Sequence, residues 1–82
     1  MIIFRITEIM ARYKVSATAL SVELDVTKGT VSQWRQGSSK PSLDRLDAIM
    51  DAIKKLGDKQ QLDLFPLRLS DVLEWTTENT KV

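Results

Sequence analysis

The stretch from Val26 to Ser42, VTKGTVSQWRQGSSKPS, constrains this chain more than any other part of it. It carries three basic residues, Lys28, Arg35 and Lys40, and no acidic one. Thr27 is a good helix N-cap and Gly37 a good helix stop, so the spacing predicts a short helix over roughly residues 28–36. At about 100° per residue, Val31 and Trp34 share the buried side of that helix. Gly29, Ser32, Gln33 and Gln36 then face away, with Lys28 beside them. The outward face is therefore polar, amide-bearing and basic, and it leads into a Gly-Ser-Ser-Lys-Pro loop.

The flanking segments supply the packing partners. Ile6, Ile9, Met10 and Tyr13 recur at helical spacing and predict a first helix over roughly residues 5–13. Met1 to Phe4 either start that helix or form a short extended arm. Ser16 is an N-cap for a second helix carrying Ala19, Leu20 and Leu24. Ser21 is small enough to let the third helix cross the second closely, and Asp25 and Val26 make the turn between them. Pro41 and Ser42 open a fourth helix with the stripe Leu43, Leu46, Ile49, Met50, Ile53 and Leu56, ended by Gly57.

The chain then changes character, dividing into residues 1–57 and an extension over 58–82. Asp58 to Gln61 reads as a polar hinge. Leu62, Leu64, Phe65, Leu67 and Leu69, interrupted by Pro66, read as a short extended segment. Ser70 would cap a last short helix bearing Val72, Leu73 and Trp75, and residues 76–82 are expected to fray. Within 62–75, eight of fourteen residues are large and apolar: Leu62, Leu64, Phe65, Leu67, Leu69, Val72, Leu73 and Trp75. They are the candidate dimerisation surface. The competing reading has them cap the monomer core against Ile2 and Phe4.

Composition excludes several function classes. Eighty-two residues, 43% hydrophobic and 28% charged, make one globular domain. With no cysteine there are no disulfides, thiolate chemistry or cysteine-ligated zinc. With no histidine the chain lacks the usual base or ligand of hydrolase sites. The carboxylates show no metal-loop or paired-acid spacing, and no Gly-rich phosphate loop exists. The expectation is a non-enzyme without cofactor or metal. No apolar run is long enough for a membrane span, and a cytoplasmic location fits. The net charge of +1 is unevenly spread: residues 1–42 carry +3 and residues 43–82 carry −2. The basic half holds the Val26–Ser42 stretch, as an electrostatic footprint for nucleic acid requires.

Over roughly residues 5–56 the chain resembles the Cro/Xre-type, phage-repressor-like helix-turn-helix family. The matching residues are Ser16, Leu20, Leu24, Val26, Thr27, Thr30, Val31, Ser32, Trp34, Gly37, Pro41, Leu46 and Ile49. The resemblance implies an all-α, five-helix domain whose third helix lies in the major groove of double-stranded DNA. The DNA-binding residues expected on that basis are Ser16, Thr27, Lys28, Gly29, Thr30, Ser32, Gln33, Arg35, Gln36, Ser38, Ser39 and Lys40. Gln33 can donate and accept together, which suits the adenine edge, and Lys28 can reach guanine or a phosphate. Gly29 costs roughly 1 kcal/mol of helix propensity, which close approach of DNA or room for a thymine methyl would justify. Ser38, Ser39 and Lys40 suit phosphate contact. Trp34 shares the inward face with Val31 and reads as core, not as a stacking platform.

Three departures from the family pattern matter. Ala17 stands where the family often has a phosphate-contacting glutamine. Asp25 stands at the family's turn glycine. Met10 and Arg35 replace an arginine–glutamate ion pair, which leaves Arg35 available to phosphate. The expected function is a bacterial or phage transcriptional regulator, a repressor, bound as a homodimer to a two-fold operator. The alternatives are an antitoxin, a restriction-modification controller, and an adaptor that has lost DNA binding. A toxin or antirepressor would be the protein partner.

Overall fold

Ile6, Ile9, Met10 and Tyr13 are all buried along one side of α1 (Ile6–Tyr13), as their spacing requires. This side meets the inward faces of three further helices in the computed structural model, which describes residues 1–77. They are α2 (Ala17–Leu24), α3 (Lys28–Gln36) and α4 (Leu43–Leu56), each started by a local side-chain cap. Ser16 accepts from the Ala19 N–H, Thr27 from the Thr30 N–H and Ser42 from the Arg45 N–H, at 3.0–3.1 Å. Each bond satisfies one of the orphan amides at a helix start. The stops are equally local: Lys14, Asp25 and Gly37 all take the left-handed conformation just after their helices.

The core joins Ile6, Ile9 and Tyr13 of α1 with Leu20, Val31, Trp34, Leu46, Ile49 and Ile53. Two details of the expected α4 stripe differ. Leu43 is 81% exposed, because at the first position of α4 it sits ahead of the buried face that begins at Leu46. Ala52, absent from the expected stripe, is buried beside Ile53.

The tail departs further from expectation. The described residues form six helices, not five, and a two-stranded sheet. Asp58 to Gln61 is no hinge, since the Asp58 carboxylate accepts from the Gln60 N–H and starts α5 (Lys59–Leu64). The expected extended run over 62–69 is therefore helical at Leu62–Leu64. Pro66 excludes Phe65 from the helical region, and Phe65 sits at φ −133°, ψ 83°. Residues 65–68 connect to a single turn, α6 (Leu69–Val72), started at Arg68 instead of Ser70. There the Asp71 carboxylate accepts from the Arg68 N–H at 3.1 Å.

Leu73 and Trp75, expected in a helix, belong to β2 (Leu73–Trp75). This strand pairs antiparallel with β1 (Ile2–Phe4), in the register Ile2–Trp75, Ile3–Glu74 and Phe4–Leu73. The N-terminal residues thus form an extended arm, and the sheet neighbour that makes Leu73–Trp75 a strand lies some seventy residues away in the chain. Thr76, expected to fray, donates to the Met1 carbonyl at 2.9 Å, while the Met1 ammonium donates to the Thr76 carbonyl at 2.6 Å. The rest of the expected frayed end, residues 78–82, lies outside the described residues. Arg5 closes the sheet by pairing with Glu74 and Glu8, and hydrogen bonds to these two carboxylates, Glu74 foremost, raise its guanidinium above its ordinary value.

Candidate nucleic-acid interface

The turn between α2 and α3 sets the site. Asp25 adopts φ 57°, ψ 47°, so an aspartate fills the position the family gives to glycine. Aspartate is among the few residues with side chains that take this conformation with any frequency. The Asp25 and Val26 amides donate back to the Val22 and Ser21 carbonyls. Ser21 is buried and its hydroxyl donates to the Thr18 carbonyl at 2.8 Å, so this small polar side chain enters the α2–α3 contact fully satisfied. Arg45, a residue that sequence reasoning did not single out, donates from α4 to the Leu24 carbonyl at the end of α2.

On α3 the expected division holds. Val31 and Trp34 are buried, while Lys28, Gly29, Ser32, Gln33, Arg35 and Gln36 are exposed. Thr27 and Thr30 are committed locally, since their hydroxyls lie 3.1 Å apart and Thr27 also caps the helix. Ser38 closes the other end, where its amide and hydroxyl both donate to the Gln33 carbonyl, at 3.1 and 3.3 Å. Ser39 is half-buried, and Lys40 and Ser16 are exposed. The Ser16 oxygen accepts from a helix amide, which leaves its hydroxyl proton to be donated outward.

Gly29 is not required by the fold. A Cβ there would meet only the Thr27 hydroxyl, at an ordinary 3.6 Å. Gly37, by contrast, sits at φ 79° and is needed to end the helix.

The charges sort into two groups. Arg5, Arg12, Lys14, Lys55 and Arg68 each pair with a carboxylate. Lys28, Arg35 and Lys40 around α3, like Arg45, Lys54 and Lys59 elsewhere, take part in no ion pair among the described residues. Three positive charges with no internal counter-ion therefore flank the outer face of α3. Arg35 also marks a shallow concave strip. One hollow of about 200 Å³ joins it to Thr7, Met10, Ser16 and Ala17. Another, of about 370 Å³, joins it to Thr7, Ser32 and Gln36. A third, of about 320 Å³, runs from Arg35 and Gln36 to Lys40 and the β1 arm. Met10 is buried beneath Arg35's strip and offers it no charge. Thr7 carries no signal in the sequence that marks it as a site residue; its hydroxyl lies 3.5 Å from the Arg35 carbonyl, beside the outer face of α3.

The expected dimerisation residues separate. Val72 is fully buried in the chain's own core, and Leu62, Leu67 and Leu73 pack half-buried against that core. Leu64, Phe65, Leu69 and Trp75 are exposed. Among the described residues, no helix is long and apolar enough to cross a membrane.

A short capped helix, a tight turn and a second capped helix with a polar, cationic outer face are the parts of a helix-turn-helix unit. Comparison with known families agrees: the model of the Cro/C1-type HTH DNA-binding domain matches residues 5–54. No curated protein and no solved structure gave a match. The chain belongs to the Cro/C1-type helix-turn-helix DNA-binding family.

Proposed function

We propose that this protein is a transcriptional repressor of bacterial or phage type, acting in the cytoplasm, that lays α3 in the major groove of a two-fold operator as a homodimer. The observation that carries the reading is the outer face of α3. Ser32, Gln33 and Gln36 are exposed on it, and the cations flanking it have no internal partners among the described residues. Gln33 reads adenine, Lys28 reaches guanine or phosphate, and Ser32 permits close approach. Arg35 and Lys40 grip the phosphates along the concave strip, and Ser16, Ser38 and Ser39 add neutral contacts to the backbone. Arg35 takes over the backbone contact that Ala17 cannot make.

One helix reads only a few base pairs, so the reading includes a second protomer with its α3 about 34 Å away. The surface offered for this is the exposed apolar rim of Ile2, Leu43 and Trp75, which adjoins Lys40 through a cleft shared with Phe4 and Pro41.

Selection of bound sequences from a random DNA pool tests the whole reading. The expected result is an enriched site with two-fold symmetry. An unenriched pool would reject sequence-specific binding and favour an adaptor. In the same assay, Arg35→Ala and Lys40→Ala should weaken all sequences alike. Each should flatten the logarithmic salt slope by about 0.9 for every phosphate left without its cation.

A further inference from the structure

We propose that the cleft between α1 and the α5–α6 connection is a docking surface for a segment of a partner protein that carries carboxylates beside an apolar side chain. The cleft has a volume of about 610 Å³, and its walls include Arg12, Leu64, Phe65, Pro66, Arg68 and Asp71. None of these residues lines the concave strip around α3. Arg12 leaves α1 about 140° around the helix from Thr7, which borders that strip. The cleft is thus a second surface, open to a partner while α3 is engaged.

Two features give its occupant a chemistry. The first is apolar exposure held in place. Leu64 is 62% and Phe65 56% exposed, yet the backbone beneath them is tied down. The Tyr13 hydroxyl donates to the Phe65 carbonyl, and the Phe65 amide donates to the Gln61 carbonyl at 2.8 Å. The backbone that presents the two side chains is thus fixed before a ligand arrives, which lowers the ordering cost of binding.

The second is an unbalanced charge. The guanidiniums of Arg12 and Arg68 share a single carboxylate, Asp71, at 3.9 and 4.0 Å. These are loose contacts, because the same Asp71 oxygen accepts from the Arg68 amide at 3.1 Å to start α6. Arg12 is further held 5.8 Å over the Tyr13 ring. Two planar, always-charged forks with one shared, preoccupied counter-ion retain a net positive charge beside an apolar platform. Guanidinium forks match carboxylates in charge and geometry. The complementary ligand is therefore acidic and apolar together.

The test uses the full chain, labelled with nitrogen-15, and a short acetylated, amidated peptide of alternating glutamate and leucine. The expected result is saturable shifts of the amides of Arg12 and residues 61–71, with DNA binding by α3 unchanged. Replacing the glutamates by glutamine, or Arg12 and Arg68 together by glutamine, should weaken binding about tenfold or more. Asp71→Asn keeps an acceptor for the Arg68 amide and removes the internal charge, so it should tighten binding, and it remains informative if the double variant unfolds. Equal binding of the glutamine peptide would overturn the proposal. So would shifts centred on α3, or cleft shifts that follow protein concentration without peptide, which would mark the surface as a contact between two copies of the chain.

Discussion

The helix-turn-helix unit, residues 16–42, and the tail, residues 58–77, are built by different means. In the first, every boundary is decided within a few residues: Ser16 caps onto Ala19, Thr27 onto Thr30, and Asp25 and Gly37 stop their helices. In the second, local caps at Asp58 and Asp71 start the two short helices, but the strand and the fastening of the tail come from far away in the chain. The Phe65 carbonyl is held by Tyr13, Glu74 by Arg5, and Leu73–Trp75 by Ile2–Phe4. The cations show a related contrast. Arg5, Arg12, Lys14 and Arg68 each lie against a tail carboxylate, with Arg12 and Arg68 sharing Asp71, whereas Lys28, Arg35 and Lys40 around α3 have no internal partners among the described residues. The cations around α3 stay available to an outside polyanion, while four of those at or facing the tail help to fasten it to a small core.

The largest effect is expected where both regions rest on one core. Trp34→Ala should cost about 3–5 kcal/mol and remove much of the stability of so small a domain, because the side chain is buried between α3 and the core. Denaturant unfolding followed by circular dichroism measures it. A loss below about 1 kcal/mol would mean that α3 is not packed as described.

Gln33→Ala sharpens the functional side of the comparison. It should leave stability nearly unchanged and cost about 1–3 kcal/mol of discrimination at one base pair of the operator, read by competition between cognate and altered sites. Equal weakening on cognate and scrambled DNA would remove Gln33 from base readout.

Tyr13→Phe addresses the tail alone. Losing the bond to the Phe65 carbonyl should cost about 0.5–1.5 kcal/mol. Hydrogen exchange should rise over α5 and residues 65–68 more than over α2 and α3, and DNA affinity should hold. Uniform loosening of the chain would show the two regions to be a single cooperative unit.

The smallest effect has opposite signs in the two assays. Gly29→Ala should stabilise the fold by up to about 0.5–1 kcal/mol, since the added Cβ meets only ordinary contact, while weakening DNA binding. A variant that gains stability and keeps its affinity would leave this glycine without a role at the interface.

These regions also differ in how far they can be read from sequence. Thr27, Val31, Trp34 and Gly37 specify α3, its buried side and its end, because capping, periodicity and the glycine stop act over one or two turns. The four helices from Ile6 to Leu56 follow the same logic, and so does the outward face on which the expected DNA-contact residues of α3 lie. What stays hidden is instructive. Thr7 carries no local signal, and it joins the strip around Arg35 only because α1 crosses α3. Leu43 has the right spacing for the core but lies ahead of the buried face of α4.

By itself, then, the sequence determined the helix-turn-helix unit, its inward Val31 and Trp34, and the basic character of its outer face. These depend on interactions between near neighbours. Only the tertiary structure decided the rest. It placed Val72 in the chain's own core, made Leu73–Trp75 a strand, and set the locally capped α5 against α1. It also left Leu64, Phe65, Leu69 and Trp75 at the surface. The eight apolar tail residues are alike in composition, and what separates buried from exposed is which of them pack against the chain's own core. That is fixed by interactions between residues fifty or more positions apart, which no local pattern in the tail encodes.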